Sequence, residues 1–172
     1  MSNAVWLIGF RAAGKSTLGA KLAERLGWHF IDLDAELEER LGCTILEFVS
    51  RSGEAEFRAK ETALLREASG LFPDGLVIAT GGGFVDVPES RAVVEASTWP
   101  KVWLDPPGER LWERLSAAPD RLKIGHLTDF AAMEKLLEKR RPFYEKIATF
   151  RLESQDISDC LASIQRLVSG GT

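Results

Sequence analysis

Short apolar runs punctuate the chain at residues 4–10, 29–33, 76–80, 101–104 and 149–152, each rich in Val, Ile, Leu or aromatic side chains. The runs at 4–10 and 76–80 are apolar almost throughout, the pattern of strands covered on both faces. Between the runs, apolar residues return at helical spacing. Leu18, Leu22 and Leu26 share one face, as do Phe130, Met133 and Leu137, and then Ile157, Leu161, Ile164 and Val168. We read each stripe as a core-facing surface. Gly27, Gly42 and Gly70 stand where helices should stop, and Pro88 and Pro107 where they should start. This alternation predicts one α/β domain on a parallel sheet, with ligands gathered beyond the carboxyl ends of the strands. The chemistry is therefore expected just after the first three strands. Residues 117–129 break the pattern, being polar and basic with Pro119 and Gly125, and read as a surface loop or a mobile lid.

Composition narrows the class of partner. The chain has 172 residues, 45% hydrophobic and 28% charged, which suits a single domain with a real core and excludes disorder or collagen-like repeats. A net charge of −4 argues against nucleic acid or an anionic membrane as a general partner, while leaving a local basic pocket open. No apolar run approaches the roughly 18 residues a membrane span needs. Cys43 and Cys160 form no metal-ligand pattern and read as reduced thiols of a cytoplasmic protein. The five tryptophans read as packing residues, and His29 and His126 have no partner pattern that assigns them chemistry.

The strongest motif follows the first run. Gly9-Phe10-Arg11-Ala12-Ala13-Gly14-Lys15-Ser16 fits G-x-x-x-x-G-K-[ST] between a predicted strand and an amphipathic helix, the context of a phosphate-binding P-loop. Gly9 and Gly14 let the backbone wrap a phosphate chain and turn its N–H groups inward. The helix beginning near Lys15 adds its positive end. Lys15 can reach the β- and γ-phosphates, and Ser16 offers a hydroxyl to Mg²⁺. ATP or GTP with Mg²⁺ is the implied ligand; the acceptor is not encoded here.

Three further groups stand where ligands should gather. Asp32 and Asp34 lie two apart at the end of the second strand, where one can serve Mg²⁺ through water and the other an acceptor hydroxyl. Asp34 can equally serve as the N-cap of a helix over 35–41. Gly81, Gly82 and Gly83 follow the third strand and can form a nest of N–H groups, or simply a flexible connection. Arg58 and Glu61 are i,i+3 neighbours on a helix opening near Gly53, so that Arg58 can fork onto a carboxylate or remain an ordinary solvated cation.

In combination, the P-loop, Phe-Ile-Asp-Leu-Asp, Gly-Glu-Ala-Glu-Phe-Arg-Ala-Lys-Glu, Ala-Thr-Gly-Gly-Gly and Lys-Arg-Arg-Pro-Phe-Tyr-Glu-Lys-Ile-Ala resemble the shikimate kinase family along nearly the whole chain. The resemblance implies a three-layer α/β/α P-loop kinase fold with a five-stranded parallel sheet. It implies a substrate-binding helical segment at about 34–62 and a lid at about 117–129. The implied reaction is ATP-dependent phosphorylation of the 3-hydroxyl of shikimate, within aromatic amino acid biosynthesis. Lys15, Asp34 and Arg121 are the implied catalytic residues. Gly9, Arg11, Ala12, Ala13, Gly14, Lys15, Ser16, Thr17, Arg114 and Arg121 are assigned to ATP, and Ser16 and Asp32 to Mg²⁺. Shikimate is assigned to Asp34, Phe57, Arg58, Gly81, Gly82, Gly83 and Arg140, with Glu61 orienting the arginines. Arg140 stands two residues before Pro142 and four before Tyr144, although alone it would pass for a helix-terminal cation.

The chain departs from the family pattern in three places. Ala12 stands where the family's P-loop usually has glycine. The lid reads Asp120-Arg121-Leu122-Lys123 rather than Arg-Pro with an apolar pair, so Arg121, with Lys123 behind it, is the nearest match to the lid arginine. No proline near Ser154 to Ser158 matches the one that often covers adenine. A monomer is expected, with a small molecule as its partner. Two other readings share the cradle: a P-loop kinase acting on gluconate or a nucleotide, and a nucleotide-binding module with impaired catalysis.

Overall fold

The computed structural model describes residues 4–71, 75–118, 127–153 and 156–168. Five parallel strands form one sheet: β1 (Ala4–Ile8), β2 (His29–Asp32), β3 (Leu76–Ala79), β4 (Lys101–Leu104) and β5 (Phe150–Leu152), in the order β2-β3-β1-β4-β5. The helices are α1 (Lys15–Leu26), α2 (Leu33–Leu41), α3 (Ile45–Ser52), α4 (Glu54–Ser69), α5 (Pro88–Ala96), α6 (Gly108–Ser116), α7 (Phe130–Ile147) and α8 (Ile157–Val168). A short 3₁₀ turn, Phe84–Asp86, leads from β3 into α5. Among these residues no helix is long and apolar enough to cross a membrane.

Every residue of β1 is buried, and alternation along it divides the core into two. Val5 and Leu7 pack with Val77, Val102 and the apolar faces of α1, α6 and α8. Trp6 and Ile8 face the other way, onto Ile78, Trp103, Leu65 and Phe84. Period-2 alternation in a sheet covered on both sides produces this division. The long helix α7 serves both halves, giving Met133 and Leu137 to the first and Tyr144 and Ile147 to the second. Trp6 is fully buried, and Trp103 stacks on Tyr144 with ring centroids 5.8 Å apart.

The register brings the predicted chemistry to one edge. Leu7 of β1 and Asp32 of β2 both pair with Ala79 of β3, so the loops after these three strands emerge side by side. The strand order reverses across β1, the position where open α/β sheets collect ligands.

The elements follow the expected plan with shifted ends. β1 stops at Ile8, because Phe10 already accepts a turn bond from Ala13 N at 3.2 Å. Gly27 and Gly42 end α1 and α2 in the left-handed conformation, Gly70 ends α4, and Pro88 opens α5. Between β2 and β3 the chain forms α2, α3 and α4, broken at Gly42 and Gly53. Thr44 and Glu47 form a capping box that starts α3.

Candidate active site

The loop after β1 is held by its own backbone geometry. Gly9 and Gly14 adopt φ of 140° and 101°, and a β-carbon on Gly9 would lie 2.5 Å from Leu104 O. Gly14, the N-cap of α1, has no side chain to cap it, so the first N–H groups of the helix face outward to a ligand. Buried Lys15 folds back over the loop, and its Nζ donates to Gly9 O and Phe10 O, both at 2.9 Å. Ser16 and Thr17 are exposed on the first turn of α1.

The two aspartates at the end of β2 take different jobs. Asp32, in an extended conformation, caps α2, with Oδ1 accepting from Asp34 N at 3.0 Å and Ala35 N at 3.4 Å. The helix thus begins at Leu33, and the alternative in which Asp34 caps a helix over 35–41 is corrected. Asp34 is left on the cavity wall, where its pKa is pushed up to about 6. Burial is the main cause, Glu61 and Asp32 add to it, and Lys15 and Arg11 oppose it.

The three glycines after β3 are required by close approach rather than by flexibility. A β-carbon on Gly81 would collide with the carboxylates of Glu61 and Asp34; one on Gly82 would lie 2.5 Å from Arg11 N; one on Gly83 would lie 2.5 Å from Arg58 Nη2. Tyr144 Oη donates to Gly82 O and fixes the ribbon from behind.

On α4, Arg58 lies over the Phe57 ring, 5.0 Å from its centroid. Its Nη1 donates to Glu61 Oε2 at 2.8 Å and its Nη2 to Glu54 Oε1 at 3.1 Å. Burial opposes its charge, but the two carboxylates outweigh burial and hold its pKa above the ordinary value.

Arg140 is differently placed. It is 2% exposed, donates from Nε and Nη2 to the two carboxylate oxygens of Asp86 at 3.1 and 2.5 Å, and has its guanidinium 5.2 Å from the Phe10 ring centroid. Its Nη1 has no hydrogen-bond partner. It is not among the cavity-lining residues.

One cavity of about 640 Å³ joins these groups. At one end stand Asp34, Phe57, Arg58, Glu61 and the glycine ribbon; the P-loop from Arg11 to Thr17 forms the middle, with Asp32 beside it. At the other end Leu104, Pro106, Leu152, Ile157 and Cys160 supply an apolar wall near Arg114. Arg114 Nη1 donates to Ala12 O at 3.1 Å and Ala13 O at 3.3 Å. Arg121 and Lys123, and with them most of the expected lid, lie outside the described residues. Sequence reading missed Asp86, Tyr144 as a ribbon anchor, and the apolar wall. Asp86 follows the glycine triplet closely, but nothing local tells that its partner is on α7.

The shikimate kinase family model matches residues 11–168. The chain belongs to the shikimate kinase family. A shikimate kinase from Synechococcus sp. (strain JA-3-3Ab) is 42% identical over 141 residues, covering 81% of this chain and 72% of that protein. The structure of shikimate kinase from Acinetobacter baumannii in complex with shikimate matches with a TM-score of 0.88 at 30% identity, over 99% of this chain and 94% of that one. A gluconokinase from Sinorhizobium meliloti 1021 is 17% identical with a TM-score of 0.60, over 98% of this chain and 94% of that one, a likeness of fold alone.

Shikimate kinases use ATP with Mg²⁺, and the residues present fit both. The uncapped start of α1 and the glycine turns suit a phosphate chain. Among the described residues no group of three or more acidic, His or Cys side chains gathers to hold a metal. Mg²⁺ keeps several waters and is bound through one or two protein groups plus substrate phosphates. Ser16 and Asp32, both on the cavity wall, would be those groups here.

Proposed function

We propose that this cavity catalyses transfer of the γ-phosphoryl of ATP to the 3-hydroxyl of shikimate, with the acceptor between Asp34, Phe57, Arg58 and the Gly81, Gly82 and Gly83 ribbon. The observation that carries this reading is the convergence of one carboxylate, one forked guanidinium and a side-chain-free ribbon on the same end of a cavity whose middle is the P-loop. Shikimate offers a carboxylate for the guanidinium and hydroxyls for the other two.

Phosphoryl transfer asks the protein for positioning and charge neutralisation rather than covalent help. The Mg²⁺·ATP complex, when bound, supplies the transferable phosphoryl group. Backbone N–H groups from Gly9 to Thr17 hold the phosphates, and Lys15 turns from its loop carbonyls onto them. Arg114 and the apolar wall hold the adenine. Asp34 orients the reacting hydroxyl and takes its proton. Arg58 fixes the carboxylate, with Arg140 adding positive charge behind the wall. The chain acts on this small molecule as a monomer in the cytoplasm.

A coupled ADP-release assay with shikimate, gluconate and nucleoside monophosphates tests the reading. ADP release that depends on shikimate alone is expected. Release with gluconate or a nucleotide instead, or ATP binding with no product from any of them, overturns it.

A further inference from the structure

Asp34 has a neighbouring carboxylate that the transfer step leaves without a task. Glu38, one turn farther along α2, stands on the same face of the helix and on the same cavity wall. It is half-buried, and its Oε1 accepts a hydrogen bond from Ile45 N at 2.9 Å across the corner between α2 and α3.

That bond holds a corner whose other ties are local to one helix. Gly42 ends α2 in the left-handed conformation, and its N–H returns to Glu38 O and Glu39 O within α2. Arg51 reaches Cys43 Sγ at 2.8 Å from within α3. The Thr44 side chain accepts from Glu47 N at 3.2 Å, again within α3. Ile45 N, the first N–H of α3, has no acceptor to find in its own helix. Glu38 supplies one from α2, and its negative charge suits the positive end of α3.

The side chain at that N–H belongs to the cavity. Ile45 and Phe57 are both buried, share one apolar cluster and line the cavity. Ile45 follows Glu38 across the corner, and Phe57 precedes Arg58, so both stand at the Asp34 end. The guanidinium, carboxylate and glycine ribbon there match the polar groups of the proposed acceptor. Its carbocyclic ring also presents C–H surface, which only an apolar wall can match.

We infer that Glu38 is a positioning residue for the acceptor: by holding Ile45 N, it sets where the Ile45 side chain meets the ring. Glu38 then acts through Ile45, and through its hydrogen bond rather than its charge. The inference rests on the acceptor being shikimate and binding at the Asp34 end of the cavity.

The test measures ADP release by the unmodified chain, Glu38→Met, Glu38→Gln, Ile45→Ala, the Glu38→Met/Ile45→Ala pair and Thr44→Ala, titrating shikimate and ATP separately. Thermal melts confirm folding, and Glu38→Ala or Ile45→Val stands in where a variant does not fold. Glu38→Met raises the KM for shikimate about five- to tenfold, with kcat and the KM for ATP moved less than about twofold. Glu38→Gln, which keeps an oxygen acceptor, stays within about twofold of the unmodified chain. Ile45→Ala also raises the KM for shikimate, and adding Glu38→Met to it raises that KM by less than about twofold more. Thr44→Ala removes another cap of α3; it lowers the melting temperature and leaves the KM for shikimate unchanged. A full further rise in the double variant overturns the inference, because Glu38 would then act independently of Ile45. A Gln variant as impaired as Met, or a Thr44→Ala variant with the same raised KM, overturns it as well, and so does an unmoved KM in Glu38→Met. Failure of the underlying reading shows separately, as no shikimate-dependent ADP release by the unmodified chain.

Discussion

Oδ1 of Asp34 lies 2.7 Å from the point where a β-carbon on Gly81 would stand, so the carboxylate occupies the space of a missing side chain. The same missing methyl admits the carboxylate of Glu61, which in turn holds Arg58. A Gly81→Ala substitution must therefore push two site carboxylates at once. Overpacking of this kind costs about 1–3 kcal/mol of stability, and a displacement near 1 Å of the proposed proton-accepting group costs roughly 100-fold in rate. We expect kcat to fall about that much while the protein still melts cooperatively a few degrees lower. Unchanged kcat in Gly81→Ala would show that Asp34 does not work from this position.

The raised pKa of Asp34 makes both stability and activity depend on pH. Its ordinary value is 3.8 and its folded value is about 6. Between the two, the folded chain keeps a proton that the unfolded chain has lost, so this group's contribution falls as pH rises through that window and remains unfavourable above it. Asp34→Asn is thus expected to stabilise the ligand-free chain at pH 7, on the order of 1 kcal/mol, with the gain vanishing toward pH 4. Activity runs the other way. In the proposed role of proton acceptor Asp34 must be ionised, so kcat/KM for shikimate should fall below about pH 6. The Asn variant should lose at least roughly 100-fold above about pH 6, with the deficit narrowing at lower pH. Chemical denaturation at pH 4, 5.5 and 7, beside a pH–rate profile, reads both limbs; a flat profile from pH 5 to 8 contradicts the assignment.

These groups were unequally visible in the sequence. The P-loop is legible because its geometry depends on residues adjacent in the chain, whereas Asp34, Arg58 and the glycine triplet are each ambiguous alone and stand out only in combination. The capping box of Thr44 and Glu47 was equally local and could have placed α3. Strand ends were less visible, since Phe10 and Leu33 are apolar and extend the periodicity beyond the last ladder pair. What no local pattern carries is pairing between distant elements. Asp86 and Arg140 meet only because the 3₁₀ turn after β3 packs against α7, and Tyr144 reaches Gly82 by the same packing. The apolar end is assembled from β4, β5 and α8, each contributing one or two residues that elsewhere would pass for core.

Ala12 is the only non-glycine with positive φ among the described residues, at 60°. Its β-carbon crowds the following carbonyl in this left-handed conformation, at a cost of about 1 kcal/mol that glycine does not bear. Ala12→Gly should therefore raise stability by about that amount and the melting temperature by roughly 2–4 °C in a domain of this size. Buried Ala13, next in the loop, lacks a positive φ, so Ala13→Gly should lower stability instead. Thermal melts of the pair decide the matter: a loss in both would mean that the turn is not strained at Ala12.

Asp105 just beyond β4 supports the site from outside. Its buried carboxylate accepts from Arg141 Nη1 at 2.8 Å and from Arg151 Nε and Nη2 at 2.9 and 2.6 Å, all through Oδ2. Its backbone N–H donates to Leu152 O at 2.9 Å. The side chain thus ties the short edge strand β5 and the helix α7 to the centre of the sheet. Removing a buried partner can cost about 3–5 kcal/mol when the opposite charge is left stranded. Here the arginines are a third or more exposed and can turn to water, so the loss should be smaller. Asp105→Ala is expected to lose about 1–2 kcal/mol, a fall of roughly 3–6 °C in melting temperature. Because Asp105 does not line the cavity, and Asp86 rather than Asp105 holds Arg140, the KM for shikimate should change by less than about twofold. A large rise in that KM without a fall in melting temperature would place Asp105 in acceptor binding instead of in the frame.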